Sequence, residues 1–159
     1  MKGDLNVENN NKKIWLRKFT EQDLDFLLSV NYFKSPTKEF VMPVLNDWIK
    51  GESEGHLRFS RCIMLDNKPI GVISLGEKEK GVVGFGISIL EKFRGNGYAT
   101  IAFNLAKEEL KELGIKKIKS SCGYSNIASK ALHKKLGFTL NKTEINPAGN
   151  KMNRYELEL

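Results

Sequence analysis

Six residues, Arg94-Gly95-Asn96-Gly97-Tyr98-Ala99, separate an apolar, glycine-punctuated run at 82–90 from an amphipathic segment that opens at Thr100. The first segment has strand character and the second reads as a helix. A glycine-rich turn that empties into a helix start leaves several backbone N–H groups without intrahelical partners, all aimed one way. The helix dipole adds partial positive charge at the same spot. Such a corner suits a phosphate or pyrophosphate. Spacing excludes two better-known phosphate loops: no Gly-Lys-Ser/Thr follows, and the third glycine and downstream acid of the dinucleotide fingerprint are missing.

A second block, residues 126–138, reads as a helix stopped by Gly137 and followed by an extended segment. Asn126 and His133 are seven residues apart, nearly two turns, so they share a helical face with Ser129 near its edge. Ala128, Ala131, Leu132 and Leu136 supply the packing face. Asn126 stands where an N-cap belongs. His133 is a proton carrier if it faces a cavity and an ordinary surface group if it does not.

These blocks need a scaffold, and the rest of the chain outlines one. Residues 14–19 read as a strand, and Thr20 then opens a helix with a hydroxyl cap and an acidic first turn. A second helical region runs from about 35 to 50, where Pro43 should kink or divide it. Segments 56–65 and 69–75 flank the hairpin turn Asp66-Asn67-Lys68, and residues 77–81 form another polar connection into the 82–90 strand. Helices over about 97–113 and 126–136 alternate with strands at 117–122, 138–144 and 153–159, with Gly114 capping the first of these helices. The strand–helix–strand unit across 82–122 should be parallel, with a right-handed crossover. The expected fold is α/β in the mixed α+β sense: a single domain over 13–159 behind a flexible tail at 1–12. Its sheet should be mixed and mostly antiparallel, six- to seven-stranded, with helices on both faces.

A chain of 159 residues is large enough to bury a core without staples. Its two cysteines, Cys62 and Cys122, sit in apolar segments with no metal-type spacing and read as buried small hydrophobes. No apolar run reaches membrane-spanning length and the N-terminus is polar, which predicts a cytoplasmic protein. The net charge of +7 gathers after the glycine loop, at Lys107, Lys111, Lys116, Lys117, Lys119, Lys130, Lys134 and Lys135. Lysine outnumbers arginine there and no aromatics interleave, which argues against nucleic acid and for a small polyanion.

Taken together, the two blocks resemble the GNAT superfamily of acyl-CoA-dependent N-acetyltransferases. That family's [Q/R]-x-x-G-x-[G/A] loop is matched by Arg94, Gly97 and Ala99, and its N-x-x-(A/S)…(K/R)-x-G-F block by Asn126, Ser129, Lys135, Gly137 and Phe138. The segments Pro69-Ile70-Gly71-Val72-Ile73, Gly84-Phe85-Gly86-Ile87 and Gly97-Tyr98-Ala99-Thr100 are similar to the branch of ribosomal-protein alanine N-acetyltransferases and their relatives. The resemblance implies acetyl-CoA as co-substrate, no metal, and direct attack of an amine on the thioester in a ternary complex. It implies that the CoA pyrophosphate rests on backbone amides of Arg94, Gly95, Asn96, Gly97, Tyr98 and Ala99. The pantetheine arm would pair with Ile87, Ser88 and Ile89 as an added strand, with the Ile89 N–H polarising the thioester carbonyl. Asn126, with Ser129 beside it, would face the same arm.

Two departures stand out against that pattern. His133 occupies the place of a tyrosine that the family often uses as general acid, and it inherits that expectation. A glutamate that many members carry before the glycine loop is absent from residues 82–86, while Glu77 and Glu79 fall in the expected connection and read as solvated. Deprotonating a lysine-like amine at pH 7 costs about 4.6 kcal/mol, against roughly 1–1.4 kcal/mol for an α-amine. A site without a carboxylate base therefore favours a protein N-terminal α-amine or another low-pKa amine; polyamines and antibiotics are the alternatives within the family. A CoA-binding module that has lost catalysis is the alternative outside it. Tyr32, Phe33, Phe40, Trp48 and residues 146–150 are candidates for the acceptor pocket, and a homodimer is compatible with the reading.

Overall fold

The computed structural model describes residues 6–9, 12–34 and 36–159. The strands β1 (Asn6–Asn9) and β2 (Lys12–Lys18) pair antiparallel. Helices α1 (Leu24–Ser29) and α2 (Lys38–Lys50) follow, then β3 (Glu52–Ser53), β4 (His56–Leu65) and β5 (Lys68–Glu79). The remaining elements are β6 (Val82–Gly84), β7 (Gly86–Ile89), α3 (Tyr98–Glu112), β8 (Lys117–Gly123), α4 (Ile127–Lys135), β9 (Thr139–Ile145) and β10 (Lys151–Glu158). Among the described residues ten strands join one sheet in the order β1-β2-β4-β5-β6-β8-β10-β9, with β3 on β4 and β7 on β5. β6 and β8 run parallel, as the α3 crossover between them requires, and the other described pairs are antiparallel. The sheet exceeds the expected strand count for three reasons. Asn6–Asn9, within the expected tail, forms a strand; a two-residue strand precedes β4; and the 82–90 segment divides in two. Residues 1–5, 10 and 11 of that tail lie outside the described residues.

Side-chain alternation puts a core on each face of the sheet. Ile14, Leu16, Ile63, Leu65 and Ile73 pack with Ala102, Phe103, Ala106 and Leu110 of α3. Trp15, Cys62, Met64 and Val72 point the other way, onto Leu27 of α1 and Val41, Leu45 and Trp48 of α2. An ion pair of 2.8 Å from Arg61 to Glu109 ties β4 to α3. Both cysteines are buried and free, and burial pushes the Cys62 thiol up to about 12.

Two local expectations need correction. Pro43 does not divide the second helix, which runs unbroken from Lys38; Ser35, where it was expected to start, lies outside the described residues. The proline sits on the exposed side, so water can satisfy the Glu39 carbonyl that its missing N–H would have met, and the buried stripe of Val41, Leu45 and Trp48 continues past it. The 77–81 segment is not a loose connection either. β5 continues to Glu79, and the Glu77 carboxylate accepts from Leu57 N at 3.1 Å and Gly81 N at 3.0 Å. Those backbone donors hold the Glu77 carboxyl below the usual range. It stitches a hairpin instead of facing solvent.

Candidate active site

The divided strand creates the site. β6 pairs with β8 only through Val82↔Lys117, Val83↔Ile118 and Gly84↔Lys119. Past Gly84 the chain bends away, and β7 keeps its pairing with β5 alone, from Ser74↔Gly86 to Gly71↔Ile89. A fork opens between β7 and β8, with Phe85 and Ser120 at its base. The Leu90 N–H bonds to the Ile70 carbonyl, at 2.8 Å. Strand alternation then turns the N–H groups of Ile87 and Ile89 away from β5 and into the fork. Two glycines frame the bend: a Cβ at Gly84 would lie 2.8 Å from Lys78 Cε, and one at Gly86 would lie 2.6 Å from the Tyr32 hydroxyl.

On the helical face the fork leads to the 94–99 loop and the start of α3. Gly95 and Gly97 both take positive φ, 78° and 79°, a conformation that side-chain-bearing residues adopt at a cost. Gly97 is the N-cap of α3, no side chain caps the helix, and no acidic residue stands in its first turn. The helix start therefore remains open to an anion. Arg94 Nε donates to the Ile89 carbonyl at 2.8 Å, tying the loop to the end of β7. Asn96 is exposed and folds back along the loop, its Nδ2 donating to the carbonyls of Phe93 (3.1 Å) and Arg94 (3.2 Å).

A single cleft of about 530 Å³ joins these parts. Ile87, Ser88, Ile89, Arg94, Gly95, Gly97, Tyr98, Ala99, Asn126 and Ser129 all line it; Asn96 and His133 do not. Asn126 caps α4 by accepting from Ser129 N at 3.0 Å. Phe93, Thr100 and Lys135 also line the cleft, and so do Ala128 and Leu132, which helical spacing had put on the packing face; Ala128 and Ala131 are exposed. Lys135 continues the helical spacing of Ala128 and Leu132 on the face that Ser129 borders, and that was the signal for it.

His133 lies behind the cleft wall with only 3% of its surface exposed. Its ring stacks on Tyr155 at 4.3 Å and 10°, with Phe85 and Phe138 edge-on. Nδ1 lies 2.7 Å from the Ser129 carbonyl and Nε2 lies 2.7 Å from Ser120 Oγ. Burial lowers its pKa, and the backbone contact offsets only part of that. Ser120 alternates with Ile118 and Cys122 along β8, a hydroxyl among apolar neighbours, and that was the missed signal.

Beyond the fork two smaller hollows, of about 360 and 350 Å³, share Lys78, Gly84 and Phe85. Ser120, Lys119 and Tyr155 line the first; Tyr32, Arg58 and Glu77 line the second. Of the aromatics proposed for an acceptor pocket, Tyr32 reaches this space. Phe33, Phe40 and Trp48 pack as a cluster behind it, Phe33 and Trp48 stacked at 5.8 Å. Residues 146–150 close a turn on themselves through bonds between Asn146 and Asn150. Among the described residues no group of three His, Cys, Asp or Glu side chains is placed to hold a metal ion, and no helix is long and apolar enough to cross a membrane.

Comparison with known proteins adds the following. The model of the acetyltransferase (GNAT) family matches residues 17–138. A point mutant of the spermidine N-acetyltransferase SpeG from Vibrio cholerae superposes with a TM-score of 0.78 at 17% identity, over 91% of this chain and 93% of that one. The ribosomal L7/L12 alpha-N-protein acetyltransferase RimL, solved in complex with coenzyme A, gives 0.78 at 20% identity over 92% and 94%. The ribosomal-protein-S5-alanine acetyltransferase from Vibrio fischeri gives 0.77 at 16% identity over 98% and 97%. No curated protein matches the chain. At these identities the structural likeness is one of fold.

Proposed function

The chain belongs to the acetyltransferase (GNAT) family, and we propose that it moves an acetyl group from acetyl-CoA to a primary amine by direct attack in a ternary complex. One observation carries this reading: the fork edge, the uncapped α3 start and the Asn126 end of α4 all face one cleft. A pyrophosphate on the α3 start meets N–H groups of its first turn and the guanidinium of Arg94. An extended thiol arm running up the fork pairs with the free edge of β7. The Ile89 N–H then faces the thioester carbonyl, where negative charge develops in the transition state. The amine enters from the far side, past Tyr32 and Lys78. A reducing compartment that supplies acetyl-CoA, such as the cytoplasm, suits two free, buried thiols. The test is thiol release from acetyl-CoA with a panel of amines. Turnover with at least one is expected, and tight coenzyme A binding with no turnover on any amine would leave a binding module.

Charge on the acceptor side narrows the panel. Arg154 and Lys142 both bond Glu144, and Arg58 is committed to the carbonyls of Leu57 and Glu77. Lys78 has no ion-pair partner among the described residues, and its ammonium stands beside the bend. A free cation there repels a polyamine, attracts an amine that carries a carboxylate, and favours the neutral, attacking form of the amine. A peptide N-terminus followed by acidic residues should therefore outperform spermidine in kcat/KM. Lys78→Glu should cut that preference by roughly fivefold or more, the scale of about 1 kcal/mol for one exposed charge.

A further inference from the structure

We infer that Ser120 and His133 form a proton relay at the base of the fork: Ser120 Oγ exchanges protons with the reacting nitrogen and sulfur, and His133 holds the proton between the two transfers. The inference rests on the acetyl-transfer reading above and deepens it.

Position comes first. Pairing between β6 and β8 ends at Gly84↔Lys119, so Ser120 is the first β8 residue inside the fork. It lines the hollow on the acceptor side, and its partner His133 is anchored to Ser129, which lines the cofactor cleft. The pair thus bridges the two spaces that must meet for transfer.

Hydrogen-bond accounting settles the direction of the chain. The Ser129 carbonyl only accepts, so His133 Nδ1 at 2.7 Å carries the hydrogen. Burial disfavours the imidazolium, so at neutral pH the ring is uncharged and Nε2 offers a lone pair. Ser120 Oγ, 2.7 Å from Nε2, is then the donor. Its own lone pairs remain for a proton arriving from the fork. Hydroxyl, base and an orienting carbonyl stand in the order that activated-hydroxyl sites use.

Three carboxylates line the hollows by the fork, and each has partners. Glu77 is bonded to two backbone N–H groups, and Glu144 to Arg154 and Lys142; both carboxyls are held below their usual range and are weak bases, while Glu156 is ion-paired to Lys117 at 3.5 Å. The groups packed on His133 from other elements are Phe85 from the bend, Phe138 after α4, and Tyr155 from β10, with the Cys122 thiol beyond Tyr155. Among the contacts described, no charged side chain touches the ring. Tyr155, parallel at 4.3 Å, gives a transient imidazolium an aromatic face.

The step balances. The amine nitrogen bonds the thioester carbon, and the carbonyl π pair moves to oxygen. The nitrogen gives its proton to Ser120 Oγ while the Ser120 hydrogen passes to Nε2. When the oxyanion re-forms the carbonyl, the C–S bond breaks, and the imidazolium returns its proton through Ser120 to the departing sulfur. The amine loses one hydrogen, the thiol gains one, and the relay is restored.

Steady-state kinetics with the best amine of the panel, together with coenzyme A binding by calorimetry, test this. Ser120→Ala should lower kcat roughly 100-fold, within the range of positioned acid–base groups, with coenzyme A affinity held to within about twofold. Ser120→Thr should recover most of the rate. In the wild type kcat/KM, expressed per neutral amine, should fall as pH drops through the His133 pKa, and that limb should vanish in Ser120→Ala. His133→Gln should match the alanine variant if it folds; the serine variants decide the matter if it does not. Wild-type turnover with Ser120→Ala within about twofold, or an unmoved acid limb, overturns the relay and leaves acetyl transfer standing. An acetyl group found on Ser120 by mass spectrometry overturns it too. Absence of turnover by the wild type strikes the underlying reading instead.

Discussion

Gly97→Glu should weaken coenzyme A binding by roughly 100-fold or more, a loss of about 2.8 kcal/mol, without unfolding the protein. Nothing lies within 4 Å of a Cβ built at Gly97, so a side chain can leave the backbone there without a clash at its first atom. The backbone term is modest: φ is 79°, and a residue other than glycine pays about 1–2 kcal/mol there. The larger effect is electrostatic. A carboxylate at the N-cap sits where the helix dipole and the bare amides would otherwise meet the pyrophosphate, and it occupies both. Gly97→Asn separates the two contributions, since asparagine tolerates positive φ and adds no charge. Calorimetry should find the asparagine variant close to wild type and the glutamate variant silent, with both melting cooperatively. Equal losses in the two variants would assign the effect to backbone strain and remove the anion from this corner.

The conformation of this corner was legible from sequence because it is local. Two glycines at fixed spacing before a helix start specify both the positive φ values and the open amides, and no distant contact is needed. The fork was not legible in the same way. Residues 82–90 carry one continuous strand signal, and only the pairing partners, β8 for β6 and β5 alone for β7, show where the edge opens. Helical spacing put Asn126, Ser129 and His133 on one side of α4 and Ala128, Ala131, Leu132 and Leu136 on the packed side, but Ala128 and Ala131 are exposed and His133 is the buried residue of the helix. It could not say that the first side bends around a wall, with Asn126 and Ser129 reaching the cleft and His133 behind it. Ser120 was passed over because its meaning depends on an imidazole thirteen residues later. Glu77 shows the opposite error. Read as solvated in a polar stretch, it accepts two backbone N–H groups, because β5 extends farther than its apolar pattern.

The free edge of β7 depends on a residue that faces no ligand. Gly71 pairs with Ile89, and a Cβ built on it would lie 2.5 Å from the Ser88 carbonyl oxygen and 2.8 Å from Ile89 Cδ1. Backbone cannot swing aside as a flexible side-chain end can, so Gly71→Ala must push β7 away from β5. Crowding of that kind costs about 1–3 kcal/mol. For a domain of this size the melting temperature should fall by roughly 4–8 °C, taking about 2 kcal/mol at 2–4 °C each. Displacing β7 also moves the N–H groups of Ile87 and Ile89 that the thiol arm would meet. Coenzyme A affinity should therefore drop about tenfold, although the substitution lies on the far side of the strand from the cleft. Gly76→Ala is the matched control on the same strand: its nearest neighbour is Arg58 Nη1 at 3.3 Å, a side-chain end that can give by a few tenths of an ångström while keeping its bonds to the Leu57 and Glu77 carbonyls. It should leave melting temperature and coenzyme A affinity near their wild-type values. If Gly71→Ala behaves like the control, β7 is not held by the close approach, and the fork owes its geometry to the bend at Phe85 alone.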